Sequence, residues 1–430
     1  MSLNQKTATS PAPAEHKSQF STILPLFLVL RLTILFLFTP QGLLNVYTDF
    51  THYFRTAQLS EQGFFPFLNM WYEYPPLSAY LVQLTYSIAS GFFPLGEVNS
   101  LGYQIWARMF GVILLVFDTG VLILTYEITR KIRGVEKADW IGWVYALLSV
   151  PVFFSNASHN VIMVFFSLLA IERYLSNHKS QSAVALGLGI AAKLTPLFLL
   201  APVAKFLWDE GLKGVKQFLA YGVIAMATAF AFYLPFLALG GGPWVAASFT
   251  ALGKVGSWST VWSLLDGNWG PGDYGHLTNR LELIQAGISR ANPPLIPEVF
   301  RTGAFAILFG WLFLKPLKNL LPEKFVWFAT MTCMLFHIWS KGWSPQWATL
   351  IIPFLLLSFP DQRGLRAVLW LTGFTFLEWP VSSAFDNRFL YFVSILGRTT
   401  VLCLAALWAA RNLWGKPDSQ LEPVVSSPNN

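Results

Sequence analysis

The chain has 430 residues, of which 54% are hydrophobic, 16% are aromatic and only 12% are charged, whereas soluble domains have about 25% charged residues. Together with a mean hydropathy of +0.50, this indicates a polytopic membrane protein. The net charge of +7 does not point to a nucleic-acid partner, because Lys and Arg cluster in short connections, as on the cytoplasmic side of membrane proteins. Cys333 and Cys403 lie in apolar stretches, which gives no support to a disulfide framework or a thiolate metal site.

The predicted fold is all-α, a polytopic membrane bundle of about 12 helical segments, since a spanning helix needs about 20 mostly apolar residues. Ten stretches fit simple membrane helices, namely residues 20–39, 104–128, 140–156, 160–175, 216–239, 298–318, 325–340, 346–360, 364–384 and 388–411. We expect one integral-membrane domain over residues 20–413, because a helical bundle can absorb this length as a single unit. Residues 1–19 and 414–430 are predicted to be disordered cytoplasmic tails.

Two further apolar stretches, residues 75–93 and 183–207, do not fit simple spans. If residues 75–93 crossed the membrane, the basic cluster at 130–137 would lie on the same side as the loop that carries Asp49, against the positive-inside tendency. We therefore expect this stretch to dip in and return or to lie along the interface, with a full span as the open alternative. The second stretch is interrupted at Lys193 and flanked by basic residues, which predicts two half-length helices that meet near Lys193 and line a cavity.

This topology places two long loops, residues 40–103 and 240–297, and two turns, residues 155–160 and 341–346, on the outer face. These segments are the richest in polar and aromatic residues. The tryptophans of the loop 240–297 fit either an interfacial aromatic belt or the wall of a site.

Asp49 begins a segment that is typical of an amphipathic helix on the membrane surface. The spacing of three residues places Asp49 and His52 on one helix face. A carboxylate there can act as a general base towards an acceptor hydroxyl, with His52 orienting it or binding the acceptor. The alternative is that Asp49 only caps the N-terminus of that helix.

Ionisable residues inside predicted membrane helices are costly to bury, so each is expected to face the bundle interior or a cavity. For Asp118, Glu378 and Arg398 we expect structural pairing with other polar groups. Lys193 lies where two half-helices meet, and there its cation, helped by a helix end, can point at an anionic group.

The turn KGWSPQW opens one of the predicted helices on the outer face. Pro345 suits the first helical turn and Ser344 suits the cap. Lys341 and Gln346 need another explanation, and a cation with an amide at a helix start suits a phosphate or a sugar.

Five features, in this order, resemble the GT-C superfamily of membrane glycosyltransferases, which use polyprenyl-phosphate sugar donors. The likeness is greatest to bacterial polyprenol-phosphate-mannose-dependent mannosyltransferases and to the GPI-anchor mannosyltransferase I family. The features are Asp49 in the first outer loop, a Gly, Pro and YPPL element (Gly63, Pro66, Tyr74, Pro75, Pro76, Leu77), a helix with an internal Asp118, a KLTP stretch (Lys193, Leu194, Thr195, Pro196) and an SPQ turn (Ser344, Pro345, Gln346).

The resemblance implies that Asp49 is the catalytic residue and that Lys193 and Lys341 hold the donor phosphate. The other predicted substrate-binding residues are His52, Arg55, Glu73, Tyr74, His159 and Gln346. This chain departs from the family pattern, because Asp49 has no close acidic neighbour and a later outer turn reads SNASHN instead of carrying an Asp. A divalent metal, Mg²⁺ or Mn²⁺, therefore stays open as a cofactor, and His159 is either a metal or sugar ligand or an ordinary interfacial histidine.

The predicted reaction is transfer of a hexose, with mannose as the first candidate, from a polyprenyl-phosphate donor to a hydroxyl on a glycan, lipid or protein acceptor. The resemblance implies inversion at the sugar and an active site on the outer face of the plasma (inner) membrane. Two alternatives stay open. One is a transporter or flippase of lipid-linked sugars, and the other is an O-antigen ligase or polymerase, which His276, Arg280 and Arg290 in the long outer loop permit.

Overall fold

The structure is a computed structural model that describes residues 17–37, 49–154, 158–208 and 210–415. Within these residues the predicted all-α class is confirmed, since the regular elements are helices and no strand occurs. The α-helices are α1 (Phe20–Leu37), α2 (Phe50–Glu61), α3 (Pro76–Phe92), α4 (Leu101–Arg133), α5 (Val135–Leu147), α6 (Ser149–Phe154), α7 (Asn160–Leu175), α8 (Lys179–Ala192), α9 (Leu200–Trp208), α10 (Gly211–Ala231), α11 (Leu234–Ala238), α12 (Gly242–Lys254), α13 (Val261–Asp266), α14 (Glu298–Leu314), α15 (Pro322–Trp339), α16 (Ala348–Ser358), α17 (Gln362–Phe376) and α18 (Arg388–Trp414). The predicted disordered tails fall outside the described residues, apart from residues 17–19, 414 and 415.

Four described helices, α1, α4, α10 and α18, are long and apolar enough to cross a membrane. Shorter apolar helical stretches lie at Thr195–Trp208 and Pro345–Ser358. These features fit an integral membrane protein, while the total of about 12 membrane segments stays a prediction.

Helix α16 lies at the centre of the fold. All of its residues from Ala348 to Ser358 are buried, as expected for a helix that is apolar on every side. It packs against α15 and α17 on one side and against α4 and α7 on the other. A short 3₁₀ turn, Pro345–Trp347, directly precedes it, so the SPQ turn is anchored to the most buried helix of the described chain.

The predicted interruption at Lys193 is confirmed. Helix α8 ends at Ala192, Lys193 is extended with φ −162° and ψ 143°, and a 3₁₀ turn, Thr195–Leu199, leads into α9. Pro196 accounts for part of this break, because proline removes a backbone donor and disfavours helical geometry in the residue before it. The break therefore leaves the partly buried Lys193 between the two helical stretches.

The other unusual stretch, residues 75–93, forms the single uninterrupted helix α3. It contains no internal turn that would lead it back to the side on which it starts. Placement along the interface and a full span both remain compatible with this helix.

A buried ion pair joins α1 to α4. Arg31 Nε lies 3.0 Å from Asp118 Oδ2, and both side chains are fully buried. Tyr145 donates a 2.6 Å hydrogen bond to Asp118 Oδ1, and Arg31 Nη1 donates to the carbonyl oxygen of Ala146 at 2.9 Å. The expected structural pairing of Asp118 is therefore confirmed, and α1, α4 and α5 are tied together through it.

Glu378 and Arg398 also form the expected structural pair, with Arg398 Nη1 donating to Glu378 Oε2. Arg398 also donates to the carbonyl oxygen of Ser259 and lies 4.3 Å above the ring of Trp343. This pair links α18 to the long loop and to the SPQ turn.

Replacing Asp118 with Ala is expected to lower the free energy of unfolding by about 3–5 kcal/mol, because the guanidinium of Arg31 would stay buried without its counter-ion. Denaturant unfolding in detergent measures this change. The matched control is Glu127→Gln in the same helix, which removes a surface pair with Arg130 (N–O distance 2.6 Å) and should cost at most about 1 kcal/mol. Equal losses in the two variants would contradict the structural role assigned to the buried pair.

Candidate active site

A cavity of about 590 Å³ collects the polar segments that the sequence places on the outer face. Its wall is built from the start of α2, the YPPL element, the bend at Lys193, residues 271–275 of the long loop and the SPQ turn. This volume is within the range typical of small-molecule sites, about 300–1,000 Å³. Asp49 and Gln346, which are 297 positions apart in sequence, thus line the same cavity.

The side chain of Asp49 connects several segments of the cavity wall through hydrogen bonds. Its Oδ2 atom accepts hydrogen bonds from Ser158 Oγ at 2.9 Å, from Tyr53 Oη at 3.0 Å and from Gln346 Nε2 at 3.3 Å. Asp49 occupies the N-cap position of α2, but its side chain makes no capping hydrogen bond. The alternative that Asp49 only caps the helix is therefore wrong, and the carboxylate instead joins three segments of the chain.

Behind Asp49, the hydroxyl of Tyr53 also hydrogen-bonds Nδ1 of His159, and both of these side chains are fully buried. Burial, followed by the charge of Asp49, holds the pKa of Tyr53 well above its usual value. Burial, followed by the charge of Lys193, holds the pKa of His159 well below its usual value. Tyr53 therefore keeps its proton and the His159 ring is neutral.

Lys193 supplies a cation to the same cavity. Its Nζ atom donates a 2.8 Å hydrogen bond to Asn160 Oδ1 and lies 4.5 Å above the ring of Trp347, and it interacts electrostatically with Asp49. No carboxylate among the described residues lies within ion-pair distance of it. The amine is thus held in place by neutral groups. Burial lowers the pKa of Lys193 to about 7, so an anion bound beside it would favour its charged form.

A second ionic cluster joins the two outer loops. Arg280 donates two hydrogen bonds to Glu73, one from Nη2 to Oε1 at 2.7 Å and one from Nε to Oε2 at 3.0 Å. His52 Nε2 lies 2.8 Å from Glu73 Oε1, and the backbone N–H of Trp71 donates to the carbonyl oxygen of Arg280 at 3.0 Å. Burial alone would raise the pKa of Glu73, but the charges of Arg280 and His52 outweigh it and hold this pKa well below the usual value.

Tyr74 packs within this group of aromatic and polar side chains. Its ring meets that of His159 edge to face at 4.5 Å and that of Tyr53 at 5.8 Å. Burial, followed by the charge of Asp49, holds the pKa of the Tyr74 hydroxyl well above its usual value. Tyr74 therefore presents a neutral ring and hydroxyl in the cavity wall.

The lining of the cavity also includes apolar side chains. Four partly exposed side chains lie there, and they are Leu194, Leu197, Leu252 and Phe336. They come from the bend after Lys193, from α12 and from α15. A ligand in this cavity can therefore contact the side chain of Lys193 and the apolar side chain of the next residue, Leu194.

The structure does not bring Arg55 or Lys341 to the cavity wall. Arg55 is exposed on α2, and neither residue lines the cavity. Lys341 Nζ instead donates to the carbonyl oxygen of Gly253 at 2.7 Å and lies 3.3 Å from Glu298 Oε1. The other predicted site residues surround Asp49, either in the wall or, for His159, directly behind it.

The backbone around Lys341 connects the segment before the SPQ turn to the long loop through hydrogen bonds. The N–H of Trp258 donates to the carbonyl oxygen of Lys341 at 3.0 Å, and the N–H of Trp343 donates to the carbonyl oxygen of Trp258 at 3.1 Å. A Cβ on Gly342 would lie 2.2 Å from the ring of Trp258, so glycine is needed for this contact. Ser344 makes no capping hydrogen bond with its side chain, which corrects the role predicted for it.

Sequence reasoning missed Tyr53, Ser158 and Asn160 as parts of the site. Tyr53 follows Asp49 by four residues, so helical spacing alone could have placed it beside the carboxylate. Ser158 and Asn160 flank His159 in the SNASHN turn, and three consecutive polar residues at a helix start were an available signal. Arg280 lies 207 positions from Glu73, and no local pattern predicts that pairing.

The long-loop residues that permitted a ligase or polymerase have structural partners. Arg280 is paired with Glu73, and Arg290 Nη2 donates to Gln285 Oε1 at 2.8 Å. The ring of His276 hydrogen-bonds the hydroxyl of Thr278 at 2.8 Å. Arg290 and His276 thus have partners within the long loop, and Arg280 has its partner in the first outer loop.

No family model matches the chain, and neither does any curated protein. Similar solved structures include the Archaeoglobus fulgidus oligosaccharyltransferase in the apo form, with a TM-score of 0.41, 12% identity, and coverage of 94% of this chain and 57% of that chain. The Archaeoglobus fulgidus oligosaccharyltransferase AglB in complex with an inhibitory peptide and a dolichol-phosphate has a TM-score of 0.36, 14% identity and the same coverage. ArnT from Cupriavidus metallidurans in the apo state has a TM-score of 0.29, 11% identity, and coverage of 93% and 78%. The chain thus spans little more than half of the oligosaccharyltransferase.

The described residues do not fit the divalent metal that the sequence left open. Mg²⁺ takes six oxygen ligands and is usually held by one or two carboxylates together with waters and substrate phosphates. Among the described residues, no group of three or more His, Cys, Asp and Glu side chains is gathered to hold a metal ion. Oδ2 of Asp49 already accepts three hydrogen bonds, and the ammonium of Lys193 places a cation nearby.

Replacing Glu73 with Gln is expected to lower the free energy of unfolding by about 3 kcal/mol at neutral pH, because Arg280 would stay buried without its counter-ion. A depressed carboxyl pKa contributes stability only while the group is ionised. The difference between wild type and variant should therefore hold down to pH 5 and shrink as the pH falls below the usual Glu pKa of about 4.3 and through the lower pKa of the folded protein.

Denaturant unfolding of both proteins at a series of pH values measures this difference. The matched control is Glu282→Gln, an exposed carboxyl two positions after Arg280 in the long loop, for which we expect little change at any pH. A Glu73→Gln difference that stayed constant down to pH 2, or that grew on acidification, would contradict the assigned ion pair.

Proposed function

We propose that this protein transfers a sugar from a polyprenyl-phosphate donor to a hydroxyl acceptor, with Asp49 as the general base. The observation that carries the proposal is the state of the Asp49 carboxylate. Its Oδ2 atom accepts three hydrogen bonds, while Oδ1 has no donor among the described residues. One oxygen is thus fixed in place, and the other is free to accept a proton in the cavity.

The donor phosphate fits beside Lys193. The ammonium is positioned by Asn160 and Trp347 and has no carboxylate within ion-pair distance in the described part of the chain. A cation held in this way can bind a phosphate and stabilise the charge that develops on it as it leaves.

The apolar side chains of the lining favour a donor that is linked to a lipid. Leu194 follows Lys193 directly, and Leu197, Leu252 and Phe336 also line the cavity. A polyprenyl chain can lie along these side chains while its phosphate contacts the ammonium. A water-soluble nucleotide sugar would leave this apolar surface without a partner.

The reaction balances within these groups. The acceptor oxygen forms a bond to the anomeric carbon while the bond from that carbon to the phosphate oxygen breaks, and the electron pair leaves with the phosphate. The acceptor proton passes to Oδ1 of Asp49. The products are the glycoside and the polyprenyl phosphate, and Asp49 later returns its proton to water.

The finer assignments rest on the resemblance to GT-C enzymes. We propose a hexose, with mannose first, as the transferred sugar, inversion at the anomeric carbon, and a glycan, lipid or protein hydroxyl as the acceptor. We also propose that the cavity opens on the outer face of the plasma membrane. The described residues do not fit a metal, so no step is assigned to one.

Replacing Asp49 with Asn is expected to lower turnover by at least about 100-fold, because the amide cannot accept the acceptor proton. A purified, reconstituted enzyme with radiolabelled polyprenyl-phosphate sugars measures turnover, and donor binding should stay within a few-fold of wild type. The control is Asp361→Asn, which preserves the N-cap of α17 far from the cavity and should keep wild-type turnover. Turnover that survived Asp49→Asn would sink the assignment.

Replacing Lys193 with Met is expected to raise the donor KM by roughly 10-fold or more, since a hydrogen bond to a charged group contributes about 1.5–3 kcal/mol. Lys341→Met removes the same charge but affects a side chain that contacts Gly253 and Glu298, so its effect on donor KM should be several-fold smaller. Steady-state kinetics against the donor separate the two variants. A larger KM effect from Lys341 would reassign the phosphate site to the turn.

A further inference from the structure

His159 stands outside the cavity wall, yet its imidazole is fully buried directly behind Asp49. Its contact with the site runs through the hydroxyl of Tyr53, which bonds both Nδ1 of His159 and Oδ2 of Asp49. This order of contacts distinguishes a residue that touches substrate from a residue that acts through another side chain.

His159, Tyr53 and Asp49 form a series of hydrogen bonds, and the negative charge of Asp49 determines where the protons lie in it. An ionised carboxylate only accepts hydrogen bonds, and a tyrosine hydroxyl has a single proton to donate. Tyr53 must therefore give its proton to Asp49. Because the hydroxyl oxygen is then the acceptor towards His159, Nδ1 of the imidazole must carry the hydrogen.

The surroundings of His159 favour a ring with a single proton. A neutral imidazole has one N–H, so Nε2 carries a lone pair once Nδ1 is protonated. Nε2 of His159 has no hydrogen-bond partner among the described residues. Burial and the nearby charge of Lys193 both oppose a second proton on the ring.

We propose that His159 and Tyr53 are positioning residues, which hold Asp49 through a directed chain from His159 Nδ1–H to the Tyr53 hydroxyl to Asp49 Oδ2. This inference rests on the proposed function. Together with the hydrogen bonds from Ser158 and Gln346, this hydrogen-bond chain fixes the rotation of the carboxylate, so that Oδ1 faces the acceptor. His159 therefore contributes to the rate of the chemical step and not to substrate affinity.

The test is a double-mutant cycle on the full-length, reconstituted enzyme with polyprenyl-phosphate mannose as the probe. Tyr53→Phe removes one oxygen at constant shape, and His159→Leu removes the N–H. Each should lower kcat about 10- to 100-fold, in line with the cost of misplacing a catalytic group by about 1 Å, with the donor and acceptor KM unchanged. The double variant should be no slower than the slower single variant, because His159 acts only through Tyr53.

Rescue separates positioning from general packing. His159→Asn keeps an N–H donor at the place of Nδ1 and should recover most of the kcat that His159→Leu loses. His178→Leu, an exposed histidine between α7 and α8, is the matched control and should behave as wild type. If His159→Leu fails to fold, Tyr53→Phe and His159→Asn still complete the comparison, and an Asn variant as slow as Tyr53→Phe would overturn the inference.

Two other outcomes would also overturn it. Losses that multiply in the double variant, or a raised KM at constant kcat in His159→Leu, would make His159 a substrate ligand. The tautomer gives a readout that does not need activity, since ¹⁵N NMR of the labelled protein should show a neutral, Nδ1-protonated ring that disappears in His159→Asn. Absence of transfer in the wild type would overturn the proposed function and this inference together, whereas an Nε2-protonated ring would overturn this inference alone.

Discussion

One carboxylate oxygen accepts hydrogen bonds from three separate segments of the chain, and the geometry of the cavity depends on it. Oδ2 of Asp49 joins the surface helix α2, the turn before α7 and the SPQ turn before α16 through Tyr53, Ser158 and Gln346. Hydrogen bonds to a charged group are stronger than neutral ones. The negative charge of Asp49, which the proposed reaction needs in its general base, therefore also strengthens the hydrogen bonds that hold these three segments together.

The ionic groups around this junction divide into those that are neutralised and those that are not. Glu73 is paired with Arg280 and Glu378 with Arg398, so these carboxylates join elements and leave no free charge in the cavity. Lys193 is held instead by an amide and an aromatic ring. A buried cation without its own counter-ion is costly, and binding of the proposed donor phosphate would offset that cost.

How far the sequence predicts the structure depends on the distance between partners. The all-α class, the amphipathic helix after Asp49 and the break at Lys193 each follow from local patterns of apolar residues, prolines and spacing. The pairing of Glu73 with Arg280 joins loops 207 positions apart, and its geometry arises only when the helices pack. Lys341 shows that suitable chemistry in the sequence is not sufficient to predict a site. Its cation could bind phosphate, but it contacts Glu298 and the carbonyl oxygen of Gly253 instead.

The most direct test of this account is a cryo-EM structure of the Asp49→Asn variant with a polyprenyl-phosphonate analogue of a sugar donor. The account predicts the phosphonate on the ammonium of Lys193, the lipid chain along Leu194 and Leu197, and the anomeric carbon facing the side chain at position 49. A phosphonate held by Lys341, or a sugar outside the cavity with its anomeric carbon turned away from position 49, would contradict it.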